Sequence, residues 1–593
     1  MNLNMYNPFV VPFAFGVIIL FTNLAIAYIA WVNHLDKEQK RHIRKNIISF
    51  KTLAAIWEAF RECLFHRNIF KKNPILGYMH LSLSFGWLIL ILVGHFEAQV
   101  YEGSVLVNPW LAIFFRFFED GRDYPFKETF TFFMDLLLCF VLSGLLLAFF
   151  KRMRSKFLGM KKTTKHTPSD RIALISLWCI FPFRLLAESS TAAIHHNGGF
   201  LTQSLGNLLA FLPVEKFVMP LWWAYSIALC LFFVFMPFTR YMHIFTEVLL
   251  VFLRKWGIVE SQKHTGYTDT EINACSRCGI CIDVCQLNTD AGINNVQSVY
   301  FIRDARDLSL NRHVVNNCLF CNRCVQACPV GIETTMIRQI YRYKQGNENI
   351  PFYEYIDTKK YTANKESAPV LYFAGCMTHL TPGIIDSMKN IFEKAGERFI
   401  FIDEDKNICC GRPLRQQGFF EQAEILKDKL ATIIKDSGSE VLVTSCPICY
   451  KSFVKEYNLD IKVLHHTQYI KELIDKGLIK LSKQDTTFVY HDPCEISRGS
   501  NIYKEPRAIL DLLGTLQSSE NEKDDALCCG GSLANTELDP EQAAAIACQT
   551  LNVLTKNNPD CVVTSCPLCK KTFNKNNKTT NILDISEIVS RNI

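Results

Sequence analysis

The chain has 593 residues, of which 49% are hydrophobic and only 20% are charged, and its formal net charge is +7. This length is enough for several domains, and the apolar content excludes a disordered, collagen-like or low-complexity chain. The positive charge lies largely in two segments beside hydrophobic stretches, so we expect no nucleic-acid partner. Of the 24 cysteines, 20 follow residue 270. Nearly all belong to ordered C-x-x-C patterns, which indicate metal ligation in a reducing compartment.

The first part of the chain, residues 1–255, is rich in Phe, Leu, Ile and Trp and predicts an all-α bundle of five transmembrane helices. Each stretch approaches the roughly 20 apolar residues that cross a bilayer as a helix. The stretches lie at 9–32, 75–98, 129–150, 171–194 and 217–243. The first lacks a basic n-region and a cleavage site, so we expect a retained helix and not a signal peptide. Buried helices of a large soluble protein are the alternative.

Loop charge predicts the orientation of this bundle. Ten Lys and Arg residues lie between positions 37 and 72, and seven lie between 151 and 165. The loop after the second helix instead carries Glu102, Glu119, Asp120 and Asp123. The positive-inside rule places the two basic loops in the cytoplasm. We therefore predict a multi-pass protein of the cytoplasmic (inner) membrane, with its cysteine-rich domains in the cytoplasm.

Histidines within or beside the helices are candidate haem ligands. His80 and His95 are fifteen residues apart, so they lie about 22 Å apart along the axis and about 60° apart around it. His243 has about the depth of His80, and this pair could hold a haem iron from both faces. The partners of His95 at matching depth are His195 and His196. The alternative for each is an interfacial histidine that only forms hydrogen bonds.

Three further ionisable residues lie inside the predicted helices. Arg184 and Glu188 are one turn apart and can form an ion pair, and Asp135 lies inside the third helix. Ionisable groups at such positions are functional candidates. They could bind a haem propionate or relay protons to a quinone, and a structural ion pair is the equal alternative.

Residues 262–345 predict an α-helical domain of the bacterial ferredoxin type with two [4Fe–4S] clusters. The runs 275–285 and 318–328 both read C-x2-C-x2-C-x3-C, and Pro329 follows the second. Three cysteines of each run bind one cubane, and the fourth binds the other cubane. The first predicted ligand set is Cys275, Cys278, Cys281 and Cys328. The second is Cys318, Cys321, Cys324 and Cys285. Gln286 stands where a proline usually follows, and paired zinc sites are the alternative.

The last third of the chain is duplicated. A strand-like run ends at Cys376 and again at Cys494, and each half contains a C-C-G triplet followed by T-S-C-P-x-C. Similar offsets indicate an internal repeat. Apolar β-branched runs lead into the cysteines and helical patterns lie between them, so we predict two α/β domains with cysteines at the strand ends. A linker at 346–366 precedes domains at 367–480 and 486–593.

Five cysteines per half, two of them adjacent, are unusual for zinc or for an ordinary cubane. Vicinal thiolates suit a site that shares ligands between irons, and simple disulfide chemistry is the alternative. Six cysteines fall outside all motifs and are interpreted as packing residues. They are Cys63, Cys139, Cys179, Cys230, Cys548 and Cys561.

The two G-C…C-C-G…S-C-P-x-C motifs resemble the CCG domain pair of heterodisulfide reductase catalytic subunits, and the ferredoxin module resembles that of their membrane-associated form. The five-helix part resembles the cytochrome b (gamma) subunit of respiratory nitrate reductase, most closely in F-M-P-F-T-R-Y-M-H-I-F around His243. Those subunits carry two histidines on the last helix. Here the outer position of that helix has Trp222, Trp223 and Tyr225 instead.

This resemblance implies cofactors that spacing alone does not. Each complete CCG motif would bind a noncubane [4Fe–4S] cluster as a catalytic site, and the membrane part would bind one haem b, or two, and react with a quinone. The first set of cysteines is Cys376, Cys409, Cys410, Cys446 and Cys449. The second is Cys494, Cys528, Cys529, Cys566 and Cys569.

Together the predicted parts form an electron path from the cytoplasm to membrane menaquinone, typical of a quinone-linked oxidoreductase. The resemblance implies a cytoplasmic flavoprotein, such as electron-transferring flavoprotein, or a small thiol protein or disulfide as the partner. No G-x-G-x-x-G after a strand and no P-loop occurs in the sequence. One alternative is therefore an electron-transfer subunit of a larger complex without its own substrate. Others are a disulfide reductase and a zinc-binding membrane scaffold.

Overall fold

The computed structural model describes residues 5–153, 164, 166–346, 355, 367–406, 408–577 and 579–593. The chain divides into two compact units, Met1–Ile280 and Cys281–Ile593. Several predicted features lie outside the described residues. They are Arg154, Lys156, Lys161, Lys162, Lys165 and most of the linker at 346–366.

Among its described residues, the first unit contains five helices that are long and apolar enough to cross a membrane, which confirms the predicted number. The first to fifth apolar helices are Val10–Asn33, Pro74–Glu102, Lys127–Met153, Pro168–His195 and Glu215–Phe235. Shorter elements connect them. These are Lys37–Asn46, Phe50–Ala59, Phe60–Leu64, Arg67–Lys72, Leu111–Phe118, Phe200–Leu209, His243–Lys255 and Gly266–Asn273.

One predicted helix is shorter than the apolar stretch suggests. The fifth apolar helix ends at Phe235 and is followed by two 3-10 turns, Met236–Phe238 and Arg240–Met242. Pro237 has no N–H to continue the helical ladder, and the backbone N–H of Arg240 bonds to the Asp170 carboxylate at 3.0 Å. The expectation of one helix over 217–243 was therefore wrong in its last turns. His243 begins a separate helix.

Small residues allow the apolar helices to approach closely. A Cβ added to Gly16 would lie 2.9 Å from the Cα of Cys230, so the first and fifth helices touch backbone to backbone. A Cβ on Gly144 would clash with Ser82, which shows the same closeness between the third and second helices. Such contacts are typical of helix packing in membranes, where burial of apolar surface gives little drive for association.

The second unit begins with short helices and continues with two α/β domains. The ferredoxin-type helices are Ile280–Asp283 at the unit boundary, Gln286–Thr289, Ser298–Arg306, Arg312–Asn316, Arg323–Ala327 and Thr334–Lys344. The first sheet contains β1 (Val370–Phe373), β2 (Phe399–Phe401), β3 (Val441–Thr444) and β4 (Lys462–His465). The second contains β5 (Thr487–Tyr490), β6 (Thr515–Gln517), β7 (Cys561–Thr564) and β8 (Asn581–Asp584).

Both sheets are parallel and have the same topology, which confirms the predicted duplication of α/β domains. Their strand orders are β2-β1-β3-β4 and β6-β5-β7-β8. The repeat extends to a buried hydrogen bond. The Tyr372 and Ser445 hydroxyl oxygens lie 2.8 Å apart, and the corresponding Tyr490 and Ser565 oxygens lie 2.6 Å apart.

Helices cover the faces of both sheets. In the first domain they are Pro382–Lys394, Arg412–Gln416, Phe420–Asp436, Pro447–Lys455 and His466–Asp475. In the second they are Lys504–Leu513, Pro540–Leu554, Pro567–Asn576 and Ile585–Arg591. Short 3-10 turns occur at Thr378–Leu380 and Lys523–Asp525.

Arg342 joins the ferredoxin-type helices to both α/β domains. Its guanidinium is buried and donates to the carbonyl oxygens of Gln416 at 2.8 Å, Ala534 at 2.6 Å and Asn316 at 2.7 Å. Burial lowers the pKa of Arg342 to about 10, so it remains charged at neutral pH. Because a buried cation needs such partners, Arg342 fixes the three parts of the second unit to one another.

Candidate functional site

The five cysteines of the first CCG motif converge at the ends of two neighbouring strands. Cys376 follows β1, and Cys446 and Cys449 follow β3, which lies next to β1. Thiol contacts join Cys376 to Cys409, Cys409 to Cys410, Cys410 to Cys449, and Cys446 to Cys449. The structure therefore brings together the complete predicted set, with four of its members buried.

Gly375 keeps the space beside these thiols open. Its φ of +86° favours glycine. A Cβ at this position would lie 2.9 Å from Cys449 Sγ and 3.1 Å from Cys446 Cβ. The glycine of the G-C pair thus leaves room at the thiols, which fits a bound iron–sulfur cluster.

The second CCG motif repeats this arrangement. Contacts join Cys494 to Cys528, Cys528 to Cys529, Cys529 to Cys569, and Cys566 to Cys569. A small cleft of about 30 Å³ opens beside it. Four of the five cysteines line the cleft, together with residues of the first domain. These cysteines are Cys494, Cys529, Cys566 and Cys569.

Glu495 connects the two CCG domains directly beside Cys494. Its carboxylate is buried and accepts from Lys451 Nζ at 2.6 Å and from Gln416 Nε2 at 3.2 Å, with Arg412 at 3.7 Å. Burial opposes the charge, but Lys451 and Arg412 hold the pKa of Glu495 below its ordinary value. The carboxylate is therefore ionised at neutral pH and locks one domain against the other at the cleft.

The four cysteines predicted for the second ferredoxin cubane also lie near one another. Electrostatic interactions place Cys285, from the first run, beside Cys318 and Cys321, and place Cys324 beside all three. Cys321 also contacts Cys528 of the second CCG motif. That hydrogen bond, followed by the nearby arginines, lowers the pKa of Cys321 to about 6 although burial opposes this. The ferredoxin module and the second CCG motif thus meet thiol to thiol.

Two cysteines predicted for the first ferredoxin cubane, Cys275 and Cys278, belong to the first unit. Arg277 lies between these two cysteines and donates to Asp170 at 3.1 Å. Asp170 also pairs with Arg240 at 3.7 Å. This Asp170–Arg240–Arg277 triad holds the first cysteine loop against the start of the fourth apolar helix.

Arg240 connects this triad to a candidate haem ligand. The Nδ1 of His243 and the carbonyl oxygen of Arg240 lie 2.6 Å apart. A proton on Nδ1 that bonds to this carbonyl makes Nε2 the basic nitrogen of the ring. The cysteine loop and His243 are therefore positioned by the same residue.

Sequence reasoning paired His80 with His243 but missed His66. The rings of His66 and His80 have centroids 5.3 Å apart. Burial, and then the proximity of His243, lowers the pKa of His66 to about 4. The structure thus gathers three imidazoles. His66 lies in the loop between the first two apolar helices, where no helical periodicity marked it.

The other predicted histidines are more dispersed. His95 is half-buried within the second apolar helix, whereas His195 and His196 are exposed at the end of the fourth. Asp135 accepts from the backbone N–H groups of Leu201 and Thr202 at 2.7 and 3.0 Å. Its contacts are those of a residue that holds the start of a helix in place.

A buried ionic group surrounds Arg116, which lies in the short helix between the second and third apolar helices. Arg116 donates to Glu97 at 2.7 Å and to Glu119 at 2.6 Å, and all three are buried. Arg184 and Glu188 form the predicted pair at 2.9 Å. Burial opposes the charge of Arg116, but the nearby carboxylates of Glu97, Glu119 and Glu188 outweigh it and raise the pKa of Arg116. A lone arginine within the apolar run at 111–118 was the signal available in the sequence.

All 24 cysteines lie among the described residues, and none of them forms a disulfide. Cys548 is exposed, and Cys561 is buried inside β7. Within the described residues, no group of three or more His, Cys, Asp and Glu side chains is arranged around a single metal ion. Ligation by each named cysteine therefore stays a prediction from the motifs.

Family models match the cysteine-rich half of the chain. Residues 370–453 and 488–574 match the CCG cysteine-rich domain, and residues 263–332 match a 4Fe–4S dicluster domain. These matches support iron–sulfur clusters in this protein and favour them over zinc.

Similar proteins carry related modules. The chain is 26% identical over 368 residues to an uncharacterized iron–sulfur protein of Methanocaldococcus jannaschii, covering 54% of this chain and 72% of the relative. It is 22% identical to one subunit of the dihydromethanophenazine:CoB–CoM heterodisulfide reductase of Methanosarcina acetivorans, covering 54% and 92%. It is also 22% identical to EtfAB:quinone oxidoreductase of Syntrophomonas wolfei, covering 91% of each chain. This last alignment must include most of the apolar part.

Substitution of Cys324 tests the ferredoxin ligand set. We expect Cys324→Ala to lose about four irons per chain relative to the unsubstituted protein, because one cubane loses a ligand. Iron and acid-labile sulfide per chain are the measurement. Cys548→Ala is the matched control, since this exposed thiol lies outside every motif, and it should keep its full iron content. Equal iron in both variants would remove Cys324 from the ligand set.

Proposed function

We propose that this chain, an iron–sulfur oxidoreductase related to heterodisulfide reductase and to EtfAB:quinone oxidoreductase, passes electrons between a cytoplasmic partner and menaquinone. The chain spans the inner membrane with its five apolar helices, which are similar to the nitrate reductase gamma subunit, and its cysteine domains lie in the cytoplasm. When bound, iron–sulfur clusters and haem b supply one-electron transfer. The predicted cysteine and histidine ligands of the chain would hold these groups.

The observation that carries this proposal is the Asp170–Arg240–Arg277 triad. Arg277 belongs to the cysteine loop, and Arg240 belongs to the segment that presents His243. Asp170 is fully buried, so its charge depends on both arginines. The triad therefore gives a direct structural connection between a predicted cubane and a predicted haem ligand.

The histidine trio fits haem ligation. Imidazole is the ligand that holds iron in many haem proteins, and two of the three rings, His66 and His80, are in close contact. The Nδ1 of His66 is buried and has no hydrogen-bond partner among the residues that the structure describes, so a polar or metal-bearing group suits this space. We assign His80 and His243 as the residues that would hold the haem iron, with His66 close to both. A second haem at His95 and His195 has less support, because His195 is exposed.

The buried ionic group supports exchange of protons with a quinone. Tyr124 donates to Glu97 at 2.8 Å and also lines a pocket of about 700 Å³. Arg184 lies eleven residues before the end of its helix at His195. It is therefore about 16 Å from that end along the helix axis. Glu97 Oε2 and Arg184 Nη1 are buried and have no hydrogen-bond partner within the described part of the chain, as expected where ordered water completes a polar path. We assign this group to proton transfer between the pocket and the quinone.

At the cytoplasmic end, two partners fit the cysteine domains. The similarity to EtfAB:quinone oxidoreductase extends over 91% of both chains and favours an electron-transferring flavoprotein. A second candidate function is reduction of a small disulfide, which is supported by the chemistry of the four cysteines beside the second CCG motif and not by the volume of the cleft. In either case the other end of the path is the menaquinone in the membrane.

Histidine substitutions test the haem assignment. We expect His80→Ala and His243→Ala each to lose the b-type α-band of the dithionite-reduced protein while cluster iron stays constant, since each removes an imidazole that would hold the haem iron. The measurement is the visible spectrum together with haem per chain. His313→Ala, an exposed histidine of the second unit, is the control. Loss of the band in His66→Ala but not in His243→Ala would transfer the ligand role to His66.

Substitution of Glu97 tests the proton path. We expect Glu97→Gln to lower the rate of menaquinone-analogue turnover by roughly 10²-fold, the usual size of a lost proton-transfer group. Haem and iron content should stay unchanged. Glu128→Gln is the control, because Glu128 lines the pocket that Tyr124 also lines but is itself exposed. Equal turnover in the two variants would contradict a role for Glu97 in proton transfer.

A further inference from the structure

Gln286 is the one residue where the ferredoxin motif departs from its usual pattern, and the structure gives this departure a role. Its side chain is 1% exposed and accepts from the backbone N–H of Cys528 at 2.6 Å. Its Nε2 lies 3.3 Å from the carbonyl oxygen of Cys528 and 3.2 Å from the hydroxyl of Thr550. Thr550 donates to the same carbonyl at 2.7 Å. A proline could make none of these contacts.

This position links two predicted cluster sites through one residue. Gln286 directly follows Cys285, a predicted ligand of the second ferredoxin cubane. Cys528 is a predicted ligand of the second CCG motif, and it contacts Cys321 of that same cubane. The side-chain amide of Gln286 therefore fixes the backbone of Cys528, and the backbone of Gln286 is bonded directly to that of Cys285.

Arg498 makes the reciprocal contact from the CCG side. It lies four residues after Cys494, and its guanidinium donates to the carbonyl oxygen of Cys321 at 2.9 Å. It also donates to the carbonyl oxygen of Ala526 at 2.7 Å, two residues before Cys528. Arg498 is 9% exposed. Gln286 holds the CCG loop from the ferredoxin side, and Arg498 holds the ferredoxin loop from the CCG side.

The two halves of the CCG repeat differ at this point. In the second half, the ferredoxin module reaches the cysteines themselves, through Gln286 and the Cys321–Cys528 contact. In the first half, the ferredoxin module instead bonds to the carbonyl oxygen of Gln416, which is not a cysteine, through Arg342. The two CCG domains, although similar in sequence, therefore contact the ferredoxin module in different ways.

We propose that Gln286 and Arg498 are positioning residues that hold Cys321 against Cys528 and so make the second CCG motif the electron junction with the ferredoxin module. The inference rests on the proposed function in that both motifs carry clusters. One electron leaves the site of Cys285, Cys318, Cys321 and Cys324 and reduces the site of the second motif, or returns. No proton or bond change accompanies this transfer.

The test uses the full-length protein, purified anaerobically in detergent. Gln286→Ala is compared with the unsubstituted protein by EPR of the reduced clusters and by stopped-flow reduction. We expect the magnetic interaction between the ferredoxin cubane and the second CCG cluster to weaken. The rate of electron transfer between them should fall roughly 10- to 100-fold, as for other residues that orient metal ligands. Iron per chain should stay the same.

Gln326→Ala is a matched control. Gln326 belongs to the same module and also bonds to the second CCG domain, donating to Asp524 at 3.0 Å, but it is exposed. Its substitution should leave both the magnetic interaction and the transfer rate unchanged. If Gln286→Ala fails to assemble its clusters, Gln286→Glu preserves the acceptor for the Cys528 N–H and should give an intermediate rate.

Two results would overturn the inference. One is an unchanged interaction and rate in Gln286→Ala or Gln286→Glu with full iron. The other is an equal loss in Gln326→Ala, which would indicate general loosening of the domain contact. Neither readout uses a quinone or a cytoplasmic partner. An unsubstituted protein with coupled clusters but no quinone reaction would therefore contradict the proposed function and leave this inference standing.

Discussion

Parallel strands end at one edge of their sheet, and this constraint brings together cysteines that are far apart in the sequence. β1 and β3 are neighbours, so Cys376 and Cys446 meet although 70 residues separate them. The same order of strands repeats the arrangement at Cys494 and Cys566. Because the carboxyl ends of strands in such sheets are where α/β folds place their sites, the position of the cysteine sites follows from the topology of the fold.

Charge burial imposes a second constraint, mainly in the first unit. An isolated buried ion is costly, and it persists only when paired and hydrogen-bonded. Asp170 satisfies this by joining Arg240 and Arg277, and Arg116 satisfies it by joining two glutamates. Each group ties together segments that are distant in sequence. The ionic groups therefore set the positions of the cysteine loop and of the pocket within an apolar bundle.

Much of the architecture could be predicted because its signals are local. Five apolar stretches, two C-x2-C-x2-C-x3-C runs and a duplicated motif were each visible in a short window of sequence, and the structure has the corresponding elements. Convergence of Cys376 with Cys446, and of Cys494 with Cys566, required only that their strands lie side by side.

The remainder depends on contacts between distant segments, which a single sequence does not reveal. His66 adopts a left-handed backbone with φ of +51° in a loop, so no periodic pattern placed it beside His80. The break after Phe235 needs Asp170 from another helix to accept from Arg240. The proposed role of Gln286 depends on a hydrogen bond from Cys528, which is 242 positions away in the sequence. These are the places where tertiary structure decides function beyond the motif.

The most direct test of the account follows the electrons to the membrane. The anaerobic, detergent-solubilised protein would be reduced with limiting dithionite and then mixed with a menaquinone analogue, with its visible spectrum, haem and iron recorded. We predict about sixteen cluster irons per chain, a b-type α-band on reduction, and reoxidation of both clusters and haem by the quinone. Absence of cluster iron, or clusters that the quinone leaves reduced, would contradict the account.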